Sequence, residues 1–332
     1  MKTIKTGVLG YGFSGRIFQC PFIESHDAFE LSAVVQRHGR QAKKDYPKIT
    51  LYDNYKAMLD NDDIELIIIA TPAHLHYDHA MKALEAHKHV LIEKPFATTQ
   101  KEAKALIKKA KSLNKVITVY QNRRFDGDFL TIKKLLNDDI KLYELEATWD
   151  RSVLTIDHSD WHEQGHQGSD VLYDLGTHFL DQALHLFGYP ESLYGITKSL
   201  RPHSKISDFF SMELEYNDKM VRLKSCLHAS KEDVRYKLHT NKGTFYFYKM
   251  DEQENQLLAG IRPLDENYGD KSTYDFFNLN GEKTTHKKLV GNYLSYFDQL
   301  AKAIRENRKL PVSHEDALTV ITFLERISTG RN

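Results

Sequence analysis

Residues 6–15 read TGVLGYGFSG, a short run of strand-forming residues that leads into a glycine-rich turn. The turn fits the pattern G-x-G-x-x-G, and it lies between a predicted strand and a predicted helix, the context in which this pattern binds a dinucleotide. Gly10 permits the tight turn, Gly12 lets the backbone approach a pyrophosphate, and Gly15 allows close packing of helix on strand. Backbone N–H groups around Phe13 and Ser14 would hold the phosphates at the helix start. An ordinary strand-to-helix turn is the alternative.

The residues after the second predicted strand bear on which dinucleotide is bound. NAD-binding domains carry an acidic residue about 20 positions after the glycine turn, where it bonds the ribose 2′-hydroxyl. Here the sequence is Val-Gln-Arg-His at residues 35–38. It has no carboxylate to repel a 2′-phosphate, and Arg37 could bind one with two parallel hydrogen bonds. The sequence therefore favours NADP, with NAD as the alternative and a solvated loop arginine as the structural explanation.

The first third of the chain alternates short β-branched runs with helical patterns. Strands are predicted near residues 6–9, 31–35, 65–70, 89–92 and 115–120. The run Glu65–Ala70 is almost entirely apolar, as expected where helices cover both faces of a parallel sheet. Thr99 with Glu102 forms a capping-box pattern that opens a lysine-rich helix. This alternation predicts an α/β Rossmann domain with a doubly wound parallel sheet, over residues 1–121.

The pattern changes after about Tyr120. One helix, predicted over 170–187, is followed by consecutive strands with turn signals at 217–218 and 241–243. The strands are predicted at 192–200, 209–216, 220–228, 236–240 and 244–248. This order predicts an α+β domain with a large open antiparallel sheet over residues 122–310, serving substrate binding and oligomerisation. A carboxy-terminal helix in 311–332 is expected to pack back on the first domain.

Composition excludes several classes of protein. Lysine plus arginine and aspartate plus glutamate number 46 each in 332 residues, so the formal charge is zero, which argues against a nucleic-acid binder. The two cysteines, Cys20 and Cys226, cannot make a disulfide framework. The amino-terminal lysines precede no apolar run long enough for a signal peptide, and the most apolar stretch is far shorter than a membrane helix. We therefore expect a cytoplasmic protein with no membrane or nucleic-acid partner.

Two further motifs stand at suitable spacing after the glycine turn. Residues 70–76 read ATPAHLH and residues 93–97 read EKPFA. With these motifs the chain resembles the Gfo/Idh/MocA family of nicotinamide-dependent sugar and polyol oxidoreductases. Family-like segments run to the closing LPVSHED at residues 310–316. Within the family, QNRRFD at 121–126 and LYDLGTHFLDQ at 172–182 look most like the NADP-dependent scyllo-inositol dehydrogenases.

The resemblance implies roles for particular residues. Lys94 would stand beside the substrate hydroxyl on a cis Lys94–Pro95 bond, and Asp174 and His178 would complete the catalytic set. The chemistry agrees: an imidazole can exchange the hydroxyl proton near neutrality, and an ammonium can stabilise the developing alkoxide. Asp174 and His178 are four residues apart and share one helix face. A solvated polar stripe, with Asp181 and His185 also on it, is the structural alternative.

Other positions have weaker support. Residues expected near the cofactor, beyond the glycine turn and Arg37, are Thr71, His76, Glu93, Lys94 and Asn122. Residues that could line a polyol pocket are Arg124, Arg151, His158, Trp161 and Tyr236.

Two rival functions belong to other classes. Residues 162–166 match the zinc-hydrolase pattern H-E-x-x-H, with histidines His162 and His166 and the potential base Glu163. Gly165 and Gly168 weaken a helix there and no third ligand is evident, so we expect no metal. The other rival is a sensor that binds the dinucleotide without chemistry. Lys94 and His178, which a sensor could lose, favour an enzyme.

The sequence thus predicts an NADP-preferring dehydrogenase of a cyclic polyol or sugar. Scyllo-inositol is the favoured substrate, and an aldose or deoxy-sugar is the alternative. The aromatic strand at 244–248, on an open sheet, also predicts self-association to a homodimer or homotetramer.

Overall fold

A computed structural model describes residues 2–136, 139–153, 155–157, 159–230, 234–269 and 271–330. The chain divides into two compact units. The first comprises residues 1–122, 253–268 and 292–318, and the second comprises residues 123–252, 269–291 and 319–332. Each unit is therefore built from separate stretches of the sequence. The predicted domains, in contrast, were continuous ranges: 1–121, 122–310 and 311–332. Two segments of the carboxy-terminal half belong to the first unit, and the last helix divides between both.

The first unit is built on a parallel sheet. Its six strands, counted over the described residues, lie in the order β3-β2-β1-β4-β5-β6, the doubly wound order of a Rossmann domain. Their bounds are β1 Ile4–Leu9, β2 Phe29–Val35, β3 Thr50–Tyr52, β4 Leu66–Ile69, β5 His89–Ile92 and β6 Ile117–Val119. The Rossmann prediction is confirmed.

Helices connect these strands. They are α1 Cys20–Ser25, α2 Gln41–Asp45, α3 Tyr55–Leu59, α4 His76–Glu85 and α5 Gln100–Ser112. The side chain and backbone of Thr99 exchange hydrogen bonds with those of Glu102, so the predicted capping box opens α5. Every residue of β4 is fully buried, as its apolar run predicts.

The second unit contains a larger sheet. Its eight strands, among the residues described, lie in the order β14-β13-β12-β11-β7-β10-β9-β8. Their bounds are β7 Leu142–Thr148, β8 Ser192–Lys198, β9 Phe209–Tyr216, β10 Lys219–Cys226, β11 Tyr236–Thr240, β12 Gly243–Phe247, β13 Thr273–Asn278 and β14 Lys283–Lys287. All neighbours are antiparallel except β7 and β10. The predicted antiparallel sheet is confirmed, with that one parallel pair as an unexpected feature.

The remaining helices complete both units. They are α6 Gly127–Leu135, α7 Thr177–Phe187, α8 Gln253–Leu258, α9 Leu294–Glu306 and α10 His314–Ser328. In the first unit, Phe297 of α9 stacks on Phe22 of α1 at 5.5 Å between ring centroids, so α9 belongs to this core. In the second unit, Phe179 of α7 meets Phe210 of β9 at 6.4 Å, and α7 thus covers one face of the large sheet. No helix among the residues described has the length and apolar character needed to cross a membrane.

Candidate active site

The candidate cofactor residues of the first unit lie where the parallel strands end. After four of the strands, the next residue donates a backbone hydrogen bond to the last residue of the neighbouring strand. These bonds, of 2.8–3.2 Å, run from Gly10 N–H to Val35 O, Ala70 N–H to Leu9 O, Glu93 N–H to Ile69 O and Tyr120 N–H to Ile92 O. Thr71, Glu93 and Asn122 therefore follow strands at the same side of the sheet as the glycine turn. In open α/β sheets this side is where ligands bind.

The glycine turn has the shape that a pyrophosphate requires. Gly10 has φ +104°, and a Cβ there would lie 2.6 Å from Ala70 O; a Cβ on Gly15 would lie 2.0 Å from Gly10 O. Both positions therefore demand glycine. A Cβ on Gly12 would meet no atom within 4 Å, so the backbone there faces open space that a phosphate can enter. The turn residues fit a dinucleotide.

The chain after the turn is a π-helical segment, Gly15–Gln19, and π-helical turns concentrate at functional sites. Ser14 Oγ and Gln19 Nε2 both donate hydrogen bonds to Glu93 Oε1. Phe13, by contrast, is 53% exposed, so its side chain is not part of the core of this unit.

Glu93 links this turn to the proposed catalytic lysine. Its Oε2 accepts a hydrogen bond from the backbone N–H of Lys94 at 3.3 Å. Burial raises the pKa of the Glu93 carboxyl, whereas the hydrogen bonds from Ser14 and Gln19 and the charge of Lys94 lower it. The Lys94–Pro95 bond is cis, as the family resemblance implied.

His76 joins two turns rather than facing solvent. It is 1% exposed, with Nδ1 2.8 Å from Pro95 O and Nε2 2.7 Å from Thr71 O. Burial lowers the pKa of His76, and the two carbonyl contacts oppose that shift. Its ring therefore fixes the Thr71 turn against the segment that carries Lys94, which is a supporting position for a cofactor site.

In the second unit, Asp174 and His178 flank a change in helical geometry. Residues Leu172–Gly176 form a π-helical turn, and α7 begins at Thr177. Asp174 lies within the wide turn, and His178 is the second residue of α7. The sequence predicted one uniform helix from 170 to 187; the extra residue of the π turn is a difference that periodicity does not reveal.

Trp149 organises the surroundings of this pair. Its ring centroid lies 6.1 Å from the His178 ring and 4.8 Å from the Arg151 guanidinium. Arg151 Nη1 lies 3.5 Å from Asp174 Oδ2. The guanidinium groups of Arg123 and Arg235 also lie over the indole, at 5.1 and 4.3 Å. Trp149 and Arg151 thus bring the two proposed catalytic side chains into one polar cluster of this unit.

Two of the proposed pocket residues are buried and bound to other side chains. Arg124 makes two hydrogen bonds to Asp181, Nε to Oδ2 at 2.7 Å and Nη2 to Oδ1 at 2.6 Å. Tyr236 is 2% exposed and donates to Gln182 Oε1 at 2.8 Å. Both residues therefore contribute to the interior of the second unit.

Of the other three proposed pocket residues, Arg151 lies in the cluster around Trp149, and Trp161 begins a 3₁₀ turn. Trp161 is half-buried, and its ring lies 3.8 Å from the His162 ring, centroid to centroid, at an angle of 34°. His158 lies outside the described residues.

The segment with the zinc-hydrolase pattern is not an α-helix. Trp161–Gln164 is a single 3₁₀ turn that Gly165 ends with φ +78°. Glu163 is buried and forms an ion pair of 2.7 Å with Arg201, which also pairs with Asp208. A glutamate so engaged cannot serve as the base of a zinc hydrolase.

Comparison with known proteins decides the family. The model of the Gfo/Idh/MocA NAD-binding Rossmann domain matches residues 4–121, and the model of its carboxy-terminal alpha/beta domain matches residues 133–329. The chain belongs to the Gfo/Idh/MocA oxidoreductase family. It is therefore an NAD(P)-dependent dehydrogenase. The Rossmann match lies within the first unit, whereas the carboxy-terminal match covers residues of both units.

Individual Gfo/Idh/MocA relatives extend the comparison. The chain is 33% identical over 335 residues to scyllo-inositol 2-dehydrogenase (NADP(+)) IolW of Bacillus subtilis, covering 98% of this chain and 93% of the relative. It is 27% identical over 207 residues to D-glucoside 3-dehydrogenase of Escherichia coli, covering 60% and 57%. The solved structure of yvaA from Bacillus subtilis superposes with a TM-score of 0.92 at 32% identity, covering 99% of this chain and 96% of the other.

Sequence reasoning missed three residues of the cluster in this Gfo/Idh/MocA protein: Arg123, Trp149 and Arg235. The signal for Trp149 was the alternating run LYELEATWD at 142–150, an unrecognised strand that ends in an aromatic residue. Arg123 lies in the quoted segment at 121–126 but was given no role there, and Arg235 had no signal. Tertiary packing brings both guanidinium groups to the indole.

Proposed function

We propose that this dehydrogenase interconverts scyllo-inositol and its ketone, with NADP as the preferred cofactor. The observation that carries the substrate is the near full-length similarity to a scyllo-inositol 2-dehydrogenase. The geometry supports the reaction class, because the peptide that bears Lys94 is hydrogen-bonded through Glu93 to the dinucleotide turn. The alternative substrate class, an aldose or related sugar, is supported by the partial similarity to a glucoside dehydrogenase.

The proposed chemistry divides among side chains of the chain itself. The bound nicotinamide supplies the hydride acceptor or donor. His178 takes the hydroxyl proton at its imidazole, a group suited to proton exchange near neutral pH. Asp174 supports the positive charge that the imidazole gains, and Arg151 orients Asp174 through their ion pair. Lys94 stabilises negative charge on the substrate oxygen through its ammonium group.

A substrate panel with a lysine variant tests this assignment. Turnover of scyllo-inositol, myo-inositol, glucose and a deoxy-sugar is followed by absorbance of the reduced cofactor. Lys94→Ala should lower kcat for the best substrate by about 10²- to 10³-fold. The Kd of NADPH should stay within about threefold, because the ammonium group acts on charge that develops in the transition state. Lys101→Ala, at an exposed position of α5, is the matched control. Normal turnover by Lys94→Ala removes the lysine from the mechanism, and faster turnover of an aldose than of any inositol favours the alternative substrate.

The proposed preference for NADP is tested at Arg37, which is exposed beyond the end of β2. Arg37→Ala should raise the KM for NADP by about tenfold or more, since a charge-assisted contact is lost, and change the KM for NAD by less than about threefold. Arg308→Ala, another exposed arginine, controls for loss of a positive charge. Equal losses for both cofactors would show that Arg37 does not bind the 2′-phosphate.

We also propose self-association and a cytoplasmic location. Along the outer face of the large sheet, strand register aligns Tyr194, Glu213, Arg222, Glu146, Lys237 and Tyr246. This row of aromatic and oppositely charged side chains is self-complementary, which favours a symmetric dimer through this face. Both cysteines are free thiols, which is compatible with a reducing compartment.

A further inference from the structure

We infer that Gln36 is a positioning residue for cofactor selection: its side-chain amide folds the loop of residues 37–40 so that Arg37 is presented to an adenosine 2′-phosphate. This inference rests on the proposed NADP preference and adds to it the residue that shapes the loop. All the residues involved lie in the first unit.

Gln36 is held at three points. Its backbone N–H donates to Tyr52 O, the last residue of β3, at 3.1 Å. Its side-chain Nε2 donates to His38 O at 2.9 Å, and its Oε1 accepts from Ala42 N–H, in the first turn of α2, at 2.9 Å. The side chain therefore connects the loop, at His38, to the start of α2, at Ala42.

The loop turns around this amide. Gly39 has φ +73°, and a Cβ there would lie 3.7 Å from Gln36 Nε2. The left-handed backbone at Gly39 reverses the chain next to the amide, a conformation that L side chains rarely adopt. Residues 37–40 are exposed, whereas Gln36 is half-buried. The amide is thus the internal support of an otherwise exposed loop.

The side chain of Gln36 is neutral, unlike the acidic residue that bonds the ribose 2′-hydroxyl in NAD-binding domains. Both polar atoms of that side chain form hydrogen bonds, to His38 O and Ala42 N–H, and the amide carries no charge to repel a phosphate. Val35 O, one residue earlier, accepts from Gly10 N–H at 3.2 Å, which ties the start of this loop to the dinucleotide turn. Arg37 is then the first exposed cation after that junction.

Two substitutions at position 36 test the inference. Gln36→Met keeps the length of the side chain and removes both hydrogen bonds. Gln36→Glu keeps the acceptor for Ala42 N–H, loses the donor to His38 O and adds a negative charge. We expect Gln36→Met to raise the Kd and KM of NADPH by roughly 3- to 30-fold, the effect of one or two neutral hydrogen bonds, and Gln36→Glu to raise them at least as much. The Kd of NADH should stay within about twofold for Gln36→Met, and kcat at saturating NADPH should be unchanged.

The controls separate positioning from general damage. Gln41→Met, an exposed neighbour whose side chain bonds Asp45, should leave both cofactors unaffected, and thermal unfolding should show all variants folded at the assay temperature. Because Gln36 acts through Arg37, Gln36→Met combined with Arg37→Ala should bind NADPH no more weakly than Arg37→Ala alone. Equal weakening of NADPH and NADH, no weakening of either, or additive losses in the double variant would each overturn the inference.

The test also distinguishes this inference from the proposed cofactor preference. If the wild-type protein binds NADH more tightly than NADPH, the proposed preference is wrong. If the wild type prefers NADPH and Arg37→Ala abolishes that preference while Gln36→Met does not, only the role of Gln36 is wrong.

Discussion

Arg124 and Asp181 form a two-point ion pair inside the second unit, with both side chains at most 5% exposed. An ion pair at such a site adds little net stability over an apolar pair, but removal of one partner leaves an uncompensated charge. The pair therefore makes each residue dependent on the other. The ion pair with Arg124 gives Asp181 a structural reason to lie on the polar stripe of α7, with no role in the reaction.

We expect Asp181→Ala to lower the free energy of unfolding by about 3–5 kcal/mol, measured by urea denaturation. The double substitution Asp181→Leu with Arg124→Met should recover most of that loss. Asp63→Ala, which breaks an exposed pair with Lys5, should cost less than about 1 kcal/mol. A stable double variant with an unchanged KM for the polyol would remove Arg124 from the substrate pocket, whereas a raised KM would support the predicted binding role.

At the scale of elements, a carboxyl group of reduced acidity lies just before the π turn that leads into α7. Asp170 precedes the turn and accepts a hydrogen bond from Tyr173 N–H at 3.0 Å. Burial raises the pKa of Asp170 to about 6, against opposing backbone hydrogen bonds from Tyr173 and Leu172. Since the pKa in the folded state exceeds that of the unfolded chain, ionisation of Asp170 opposes folding. The protonated Asp170 side chain therefore contributes to the free energy of unfolding at low pH, and this contribution is lost as the pH rises from about 4 to about 6.

Asp170→Asn should accordingly stabilise the protein at pH 8 and not at pH 4, because the amide oxygen can still accept from Tyr173 N–H. The raised pKa corresponds to a gain of about 1–3 kcal/mol at pH 8, observed as a higher midpoint in urea. Asp53→Asn, at an exposed loop position, should leave the urea midpoint unchanged at both pH 4 and pH 8. A stability gain that is the same at pH 4 and pH 8 would contradict the role of Asp170 ionisation.

The elements also show what sequence reasoning can and cannot reach. Buried parallel strands such as β4 were predictable, because a continuous apolar run has few other structures in a soluble domain. β7 alternates in the expected way but was missed, and β14 consists of five exposed residues, KTTHK, with no apolar face to signal a strand. In the site, Lys94, Asp174 and His178 carried motif signals, whereas Trp149 with its arginines is assembled by contacts between distant segments.

At the scale of the whole molecule, the outer face of the large sheet is the surface on which assembly is expected. Among the described residues, one trio of histidine and carboxylates is close enough to hold an ion, namely Glu144, Glu146 and His239. Arg222 lies 2.5 Å from Glu144, and Lys237 lies 3.3 Å from Glu146. These cations already compensate the carboxylates, so the face suits a charge-matched protein surface better than a metal.

Sedimentation velocity at micromolar concentration should therefore give the mass of a dimer or tetramer. Lys237→Glu combined with Tyr246→Asp should weaken association by about tenfold or more, because like charges then meet across a two-fold axis. Lys101→Glu, in the first unit, should leave the assembly intact. A wild-type protein that sediments as a monomer would end the proposal of self-association.

The two π-helical turns, Gly15–Gln19 and Leu172–Gly176, have a consequence for engineering and for reading related sequences. Each holds one residue more than a regular helix needs, so excising a single residue would let the backbone return to ordinary α-helical bonding. Because a π turn absorbs its extra residue locally, the helix on either side would keep its direction, and Asp174 and His178 would lie three residues apart instead of four, still on one face. A gap of one residue in an alignment across residues 172–176 would thus mark a family member whose chain winds there as an unbroken α-helix.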